Sequence, residues 1–133
     1  MAFKTVTTDR APQAIGPYSQ AAVLDGFTAV HGLVFCSGQL GVDPATGQFT
    51  GPDAVSQARQ ALSNLGEVLS AAGSTPQGVL KTTVFLADLE DFQQVNAVYA
   101  EFFGAHRPAR STVQVARLPR DARVEIEAIA VVL

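Results

Sequence analysis

An α+β fold, a mixed sheet with two helices packed on one face, is what this 133-residue chain predicts. Three observations carry that reading. Two stretches, 53–72 and 89–104, repeat apolar residues at helical spacing. The stretches around them are β-branched and punctuated by turn residues, giving the order β-rich, α, β, α, β, β. The last stretch, "VEIEAIAVVL", is apolar on both sides toward its end, so both faces of that strand need cover. Two helices can cover only one face. Other copies of the chain are the natural cover for the second.

In order, residues 3–8 form a short first strand. "APQAIGPYSQ" (11–20) contains two Pro and a Gly and reads as an ordered loop. "AAVLDGFTAV" (21–30) reads as strand, turn, strand, because Asp25-Gly26 is a two-residue hairpin signal. "LVFCSGQL" (33–40) is a further apolar strand, and "GVDPATGQF" (41–49) is turn chemistry throughout. The helix over 53–72 places Val55, Ala58, Leu62, Leu65, Leu69 and Ala72 on one face. Asp53 favours its start and Gly73 its stop. "VLKTTVFLAD" (79–88) is a β-branched strand. The helix over 89–104 aligns Phe92, Val95, Tyr99 and Phe102. Residues 111–118 and 124–133 are strands, split by a turn at Pro119–Asp121.

Composition narrows the function classes. One domain over residues 1–133 is expected at this length. Hydrophobic residues make up 47% and charged residues 16%. That is apolar for so small a chain and favours an oligomer that buries extra surface. A net charge of −3 offers nothing to nucleic acid or to an anionic membrane. No run of ~18 apolar residues predicts a membrane span, and "MAFKTVTTDRAPQAIGPYSQ" lacks a signal peptide's apolar core. The single cysteine, Cys36, excludes an internal disulfide and fits a reducing cytoplasm. Cys36, His31 and His106 lack metal-ligand spacing, so no metal is expected.

The chemistry concentrates in "RPARSTVQVARLPRDARVEIEAIA", which holds Arg107, Arg110, Arg117, Arg120 and Arg123 beside Glu125 and Glu127. Strand periodicity puts both Glu on one side. A carboxylate on a mostly buried strand needs a partner, and Arg presents a bidentate fork. One reading is structural: Arg–Glu pairs fix strand register or a subunit interface. The other leaves one Arg for a ligand carboxylate and one Glu for a proton. Arg110, after a conformationally fixed Pro108, is the Arg best placed for that role. Arg117, Arg120 and Arg123 flank a polar turn and should be solvated. Cys36 sits in an apolar strand and reads as inert. Ser37 and Gly38 end that strand, where "SGQ" offers backbone groups to a small anion or is simply the strand's exit. Tyr18 fits core or pocket wall. Phe92 and Tyr99 read as helix core, with polar Asn96 within a turn of both.

"APQAIGPYSQA", "CSGQLGVDPATG", "KTTVFLADLEDFQQVNAVYAEFF" and "PARSTVQVARLPRDARVEIEAIAV" together resemble the YjgF-like family of reactive intermediate deaminases, the Rid proteins. The likeness spans nearly the whole chain. It implies a chorismate-mutase-like α+β fold assembled as a homotrimer, sheets inward, with ligand sites in clefts between subunits. It implies hydrolysis of 2-aminoacrylate-type enamines and imines, released by pyridoxal-phosphate enzymes, to 2-oxo acids and ammonia without a cofactor. Residue by residue, Arg110 matches the clamp for the substrate carboxylate, and Glu125 the acid that handles the attacking water. Tyr18, Ser37, Gly38, Phe92 and Asn96 match pocket positions. Thr112 stands where the family often has Cys, so its backbone carbonyl is the expected contributor. Glu127 is left structural.

One departure stands out. Between Ser19 and Gln39 the chain is roughly six residues longer than the family's usual spacing, a surplus in "DGFTAVHG" that would lengthen a hairpin or add a loop. It bears on substrate preference more than on reaction class. Two alternatives remain open at this point. One is a non-catalytic ligand-binding or regulatory trimer of the same fold. The other is a related hydrolase or chaperone-like role, including the endoribonuclease activity ascribed to some relatives. A retained Arg110 favours the deaminase.

Overall fold

The computed structural model describes residues 2–15, 19–25 and 31–132. Among these residues six strands form one sheet: β1 (Ala2–Val6), β2 (Ala21–Asp25), β3 (Gly32–Leu40), β4 (Val79–Leu86), β5 (Ala109–Gln114) and β6 (Val124–Val132). Two helices, α1 (Ala54–Ala71) and α2 (Phe92–Phe103), complete the α+β architecture. Strand order is β1-β2-β3-β6-β4-β5. All neighbours run antiparallel except β4 and β5, which are parallel. The C-terminal strand therefore lies between β3 and β4.

Its alternation decides which way the sheet faces. Val124, Ile126, Ala128 and Ala130 are all at most 2% exposed. They pack under the helices with Leu62, Leu65, Val68 and Leu69 of α1 and Val95, Tyr99 and Phe103 of α2. Each fully buried Leu contributes roughly 1.5–3 kcal/mol relative to an exposed one. Glu125, Glu127, Ile129 and Val131 point to the other face and are half-buried. In one chain that face is open, with Phe35 and Val113 each 43% exposed. The expected burial of both faces is thus met on the helix side only.

Helix boundaries follow local chemistry. Asp53 caps α1 by accepting from the Ser56 N–H at 3.0 Å. Gly73, at φ +83, ends it, and the Ser74 N–H returns to the Leu69 carbonyl. Polar side chains from the helix layer then tie down the loops around the sheet. Asn64 donates to the Leu40 and Val42 carbonyls. Gln57 donates to the Gly51 carbonyl and accepts from the Arg123 N–H. Buried Gln20 accepts from the Thr8 N–H and donates to the Pro12 carbonyl.

Three expectations need correcting. Leu24 pairs with Leu33 and Asp25 with Gly32. A two-residue hairpin at Asp25-Gly26 would instead set Leu24 against Phe27, so β2 pairs directly with β3. Residues 26–30 lie outside the described residues. The strand expected over 111–118 is β5 at Ala109–Gln114. It stops earlier because the Val115 N–H, bonded to the Leu86 carbonyl, marks the end of β4. Arg123 is only partly solvated, its side chain 40% exposed. Its guanidinium donates to Asp91 at 2.8 Å and ties β6 to the start of α2.

Candidate functional site

The site begins with an irregularity in β3. Cys36 pairs with Ala128 and Gln39 with Ile126. Ser37 and Gly38 together therefore oppose Glu127 alone, which is a β-bulge. The bulge brings Gly38 under Glu125. A Cβ built on Gly38 would lie 2.8 Å from the Glu125 Cδ and 2.9 Å from its Cγ. Only glycine leaves room for that carboxylate. Ser37 is held by its N–H to the Gln20 carbonyl at 2.8 Å and by its hydroxyl to the Ser19 carbonyl.

Ser37, Gly38 and Glu125 line one cavity of 460 Å³ with Ile15, Leu40, Pro119, Arg120 and Glu127. Burial, and then the charge of nearby Glu127, hold the Glu125 carboxyl above the usual carboxylate range. A carboxyl raised in this way holds its proton more tightly than a free one, the kind of shift that general acids and bases in clefts use. Cys36, next along the strand, is 4% exposed, and burial pushes its thiol up to about 12. It is no nucleophile at physiological pH, as its apolar strand context indicated.

Arg110 builds a second cluster. It pairs with Thr82 across β4 and β5, on the helix face of the sheet. Its guanidinium carbon lies 4.7 Å from the Tyr99 ring centre and 5.7 Å from that of Phe92. A cavity of 320 Å³ beside it is lined by Asn96, Tyr99, Ala100, Arg107 and Pro108. No carboxylate of the described residues pairs with Arg110. A guanidinium framed by aromatic rings, with its fork unused among the described residues, is built to take an anion. Thr112 lies two residues along β5 on the same face, its hydroxyl buried without a partner among the described residues.

The candidates thus fall into two groups. Ser37, Gly38 and Glu125 gather on the open face; Arg110, Phe92, Asn96 and Thr112 gather on the helix side. Tyr18 lies outside the described residues. Arg110 on β5 and Glu125 on β6 do not share neighbouring strands, because β4 stands between them. Two strand spacings, about 10 Å, and opposite faces of the sheet separate them. The Arg–Glu register pairing is also absent among the described residues. Arg117 pairs with Asp121 and Arg123 with Asp91, and neither Glu125 nor Glu127 meets an Arg.

Sequence reasoning missed Ile15, Leu40 and Arg120 as cavity walls, and Tyr99 as a support for Arg110. Arg120 reaches its cavity from an unusual turn in which it and Asp121 both have positive φ, 58° and 57°. It donates to the Gly47 carbonyl and stacks over Phe49 at 5.0 Å. No glycine marks that turn, so no sequence signal exposed it. Among the described residues, no three His, Cys, Asp or Glu gather as a metal would require.

Residues 8–132 match the family described as Endoribonuclease L-PSP. The mouse 2-iminobutanoate/2-iminopropanoate deaminase is 52% identical over 128 residues, 96% of this chain and 90% of that protein. The yjgF gene product of Escherichia coli superposes with a TM-score of 0.85 at 47% identity, covering 96% of this chain and 98% of that one. The E. coli TdcF with bound serine gives 0.85 at 46% identity over the same shares.

Proposed function

We propose, from the premise that the chain belongs to the endoribonuclease L-PSP family, that it is a 2-iminobutanoate/2-iminopropanoate deaminase, as its mouse relative is named. It hydrolyses reactive imines and their enamine tautomers, such as those released by pyridoxal-phosphate enzymes, to 2-oxo acids and ammonia. The observation that carries this reading is the pair of halves just described: an unused guanidinium framed by rings, and a carboxyl raised by burial over a glycine.

The chemistry follows from those groups. The imine carbon beside a carboxylate is already electrophilic. Arg110 holds the carboxylate by two hydrogen bonds and fixes the carbon's orientation, which supplies much of the barrier reduction available. Glu125 accepts a proton from water as the oxygen bonds to that carbon. It returns that proton to the nitrogen, which takes up the C=N π pair, and then relays the hydroxyl proton of the resulting carbinolamine to the same nitrogen as C=O forms, the C–N bond breaks and ammonia leaves. Ser37 and Gly38 wall the carboxyl's side; Phe92, Asn96 and Thr112 wall the guanidinium's side. No step needs a metal, a cofactor or an activated nucleophile.

One chain keeps the halves apart, so the complete site requires two. A homotrimer of chorismate-mutase-like fold, sheets inward, covers the exposed Phe35 and Val113 and sets Glu125 of one subunit against Arg110 of the next. A reducing cytoplasm suits its lone thiol. The non-catalytic alternative would keep Arg110 but has no use for a raised carboxyl over Gly38.

The test generates 2-iminobutanoate in situ with a threonine dehydratase and follows 2-oxobutanoate release. Acceleration by the protein, lost in Arg110→Ala and in Glu125→Gln, is expected. No acceleration by the wild type would overturn the reading. Light scattering should give a trimeric mass at micromolar concentration, and a monomer there would contradict the shared site.

A further inference from the structure

We infer that Tyr99 is a positioning residue for substrate carboxylate binding, acting through Arg110; this deepens the deaminase reading and rests on it. Three groups form the device. Thr82 and Arg110 sit side by side on β4 and β5. Tyr99 comes down from α2 and covers both. Its hydroxyl shares a 2.8 Å hydrogen bond with the fully buried Thr82 hydroxyl, and its ring lies 4.7 Å from the Arg110 guanidinium carbon.

The arrangement solves a problem that Arg110 presents. An arginine side chain has many rotamers, and a clamp that must be ordered at each binding event loses affinity. No carboxylate of the described residues restrains Arg110, and one that did would compete with substrate. An aromatic face restrains the guanidinium plane while leaving its N–H fork free. The ring must itself be fixed. Phe103 flanks Tyr99 at 4.6 Å between centroids, and Thr82 holds the hydroxyl at the other end. The buried pair is thus more than core filling: it sets the height and tilt of the surface on which the guanidinium lies.

The experiment measures KM and kcat for in-situ 2-iminobutanoate and the affinity for 2-oxobutanoate. The Tyr99→Leu variant should raise KM and weaken 2-oxobutanoate binding by about tenfold, the scale of a lost cation–π contact, with kcat within about twofold. Tyr99→Phe keeps the ring and folds with little repacking, so it serves where Tyr99→Leu does not fold. It should shift KM by about two- to threefold, the double variant Thr82→Val/Tyr99→Phe restoring most of that loss by removing the unmatched hydroxyl. In an Arg110→Lys background, whose ammonium cannot lie flat on the ring, Tyr99→Leu should change KM less than twofold. A fall in kcat at unchanged KM, or an equal effect of Tyr99→Leu in both backgrounds, would overturn the inference. If Arg110→Lys itself left KM and 2-oxobutanoate binding unchanged, the carboxylate clamp would be wrong, a failure separate from that of Tyr99.

Discussion

Gly38→Ala tests the catalytic half of the site with a single methyl group. The added Cβ would lie 2.8 and 2.9 Å from the Glu125 Cδ and Cγ, with the nearer Oε1 closer still. Carbon atoms pack comfortably only near 3.5–4.0 Å. Gly38 has no positive φ, so alanine fits its backbone and the penalty is contact with Glu125 alone. The half-buried carboxylate can swing into the cavity it lines. The cost to stability is therefore at the low end of overpacking, about 1 kcal/mol. Turnover should suffer far more, because displacing a reacting group by about 1 Å can cost roughly 10²-fold. We expect kcat for 2-iminobutanoate to fall about 10²-fold, within the range general bases supply. Thermal unfolding should drop only a few degrees, as about 1 kcal/mol implies. In a Glu125→Ala background the same substitution should cost no stability. Wild-type turnover in Gly38→Ala would refute the placement of Glu125 over Gly38 as the catalytic arrangement.

Other outcomes follow from the same geometry. Activity should rise with pH through a Glu125 titration lying above the ordinary carboxylate range, and Glu127→Gln should move that acid limb downward by removing the neighbouring charge; an unmoved limb in the pH–rate profile would exclude Glu125 as the titrating base. A carboxyl whose folded pKa is raised contributes its stability fully only below its unfolded pKa and loses it as pH rises through the folded one. Glu125→Gln should accordingly raise the melting temperature at neutral pH, the gain fading in acid, while abolishing turnover. Thr112→Val should leave KM within about twofold and raise stability by up to about 1 kcal/mol, since the buried hydroxyl makes no bond among the described residues; a large rise in KM would mean that its side chain meets the substrate. Cys36 should resist iodoacetamide at pH 8 in the native protein and react fully in denaturant, read by mass spectrometry.

The elements most legible in the sequence were those whose signal is local. The α1 boundaries came from Asp53 and Gly73, whose capping needs no partner beyond the next turn. The order of strands and helices, and the alternation on β6, were equally open to reading. Pairing was not. β2 could have turned back at Asp25-Gly26, and only contact with β3 along its whole length favours the longer connection. The same holds for the site. Arg110 and Glu125 were recognisable as residue types in a family pattern, but their separation by β4 depends on a parallel β4–β5 pair that periodicity does not encode. Tyr99 was read as core, and it is 8% exposed. Its second role, beneath a guanidinium, arises only where helix and edge strand meet. The Arg120–Asp121 turn was invisible because nothing in "PRDA" requires left-handed backbone.

The division of Arg110 and Glu125 between opposite sheet faces has a genetic consequence. On the proposed assembly, each cleft takes its guanidinium from one subunit and its carboxyl from the next. Two alleles that are each null, Arg110→Ala and Glu125→Gln, would then complement one another when co-expressed. Random assembly leaves about a quarter of the clefts with both groups intact. Inheritance at this locus would follow the interface between subunits, not the single chain.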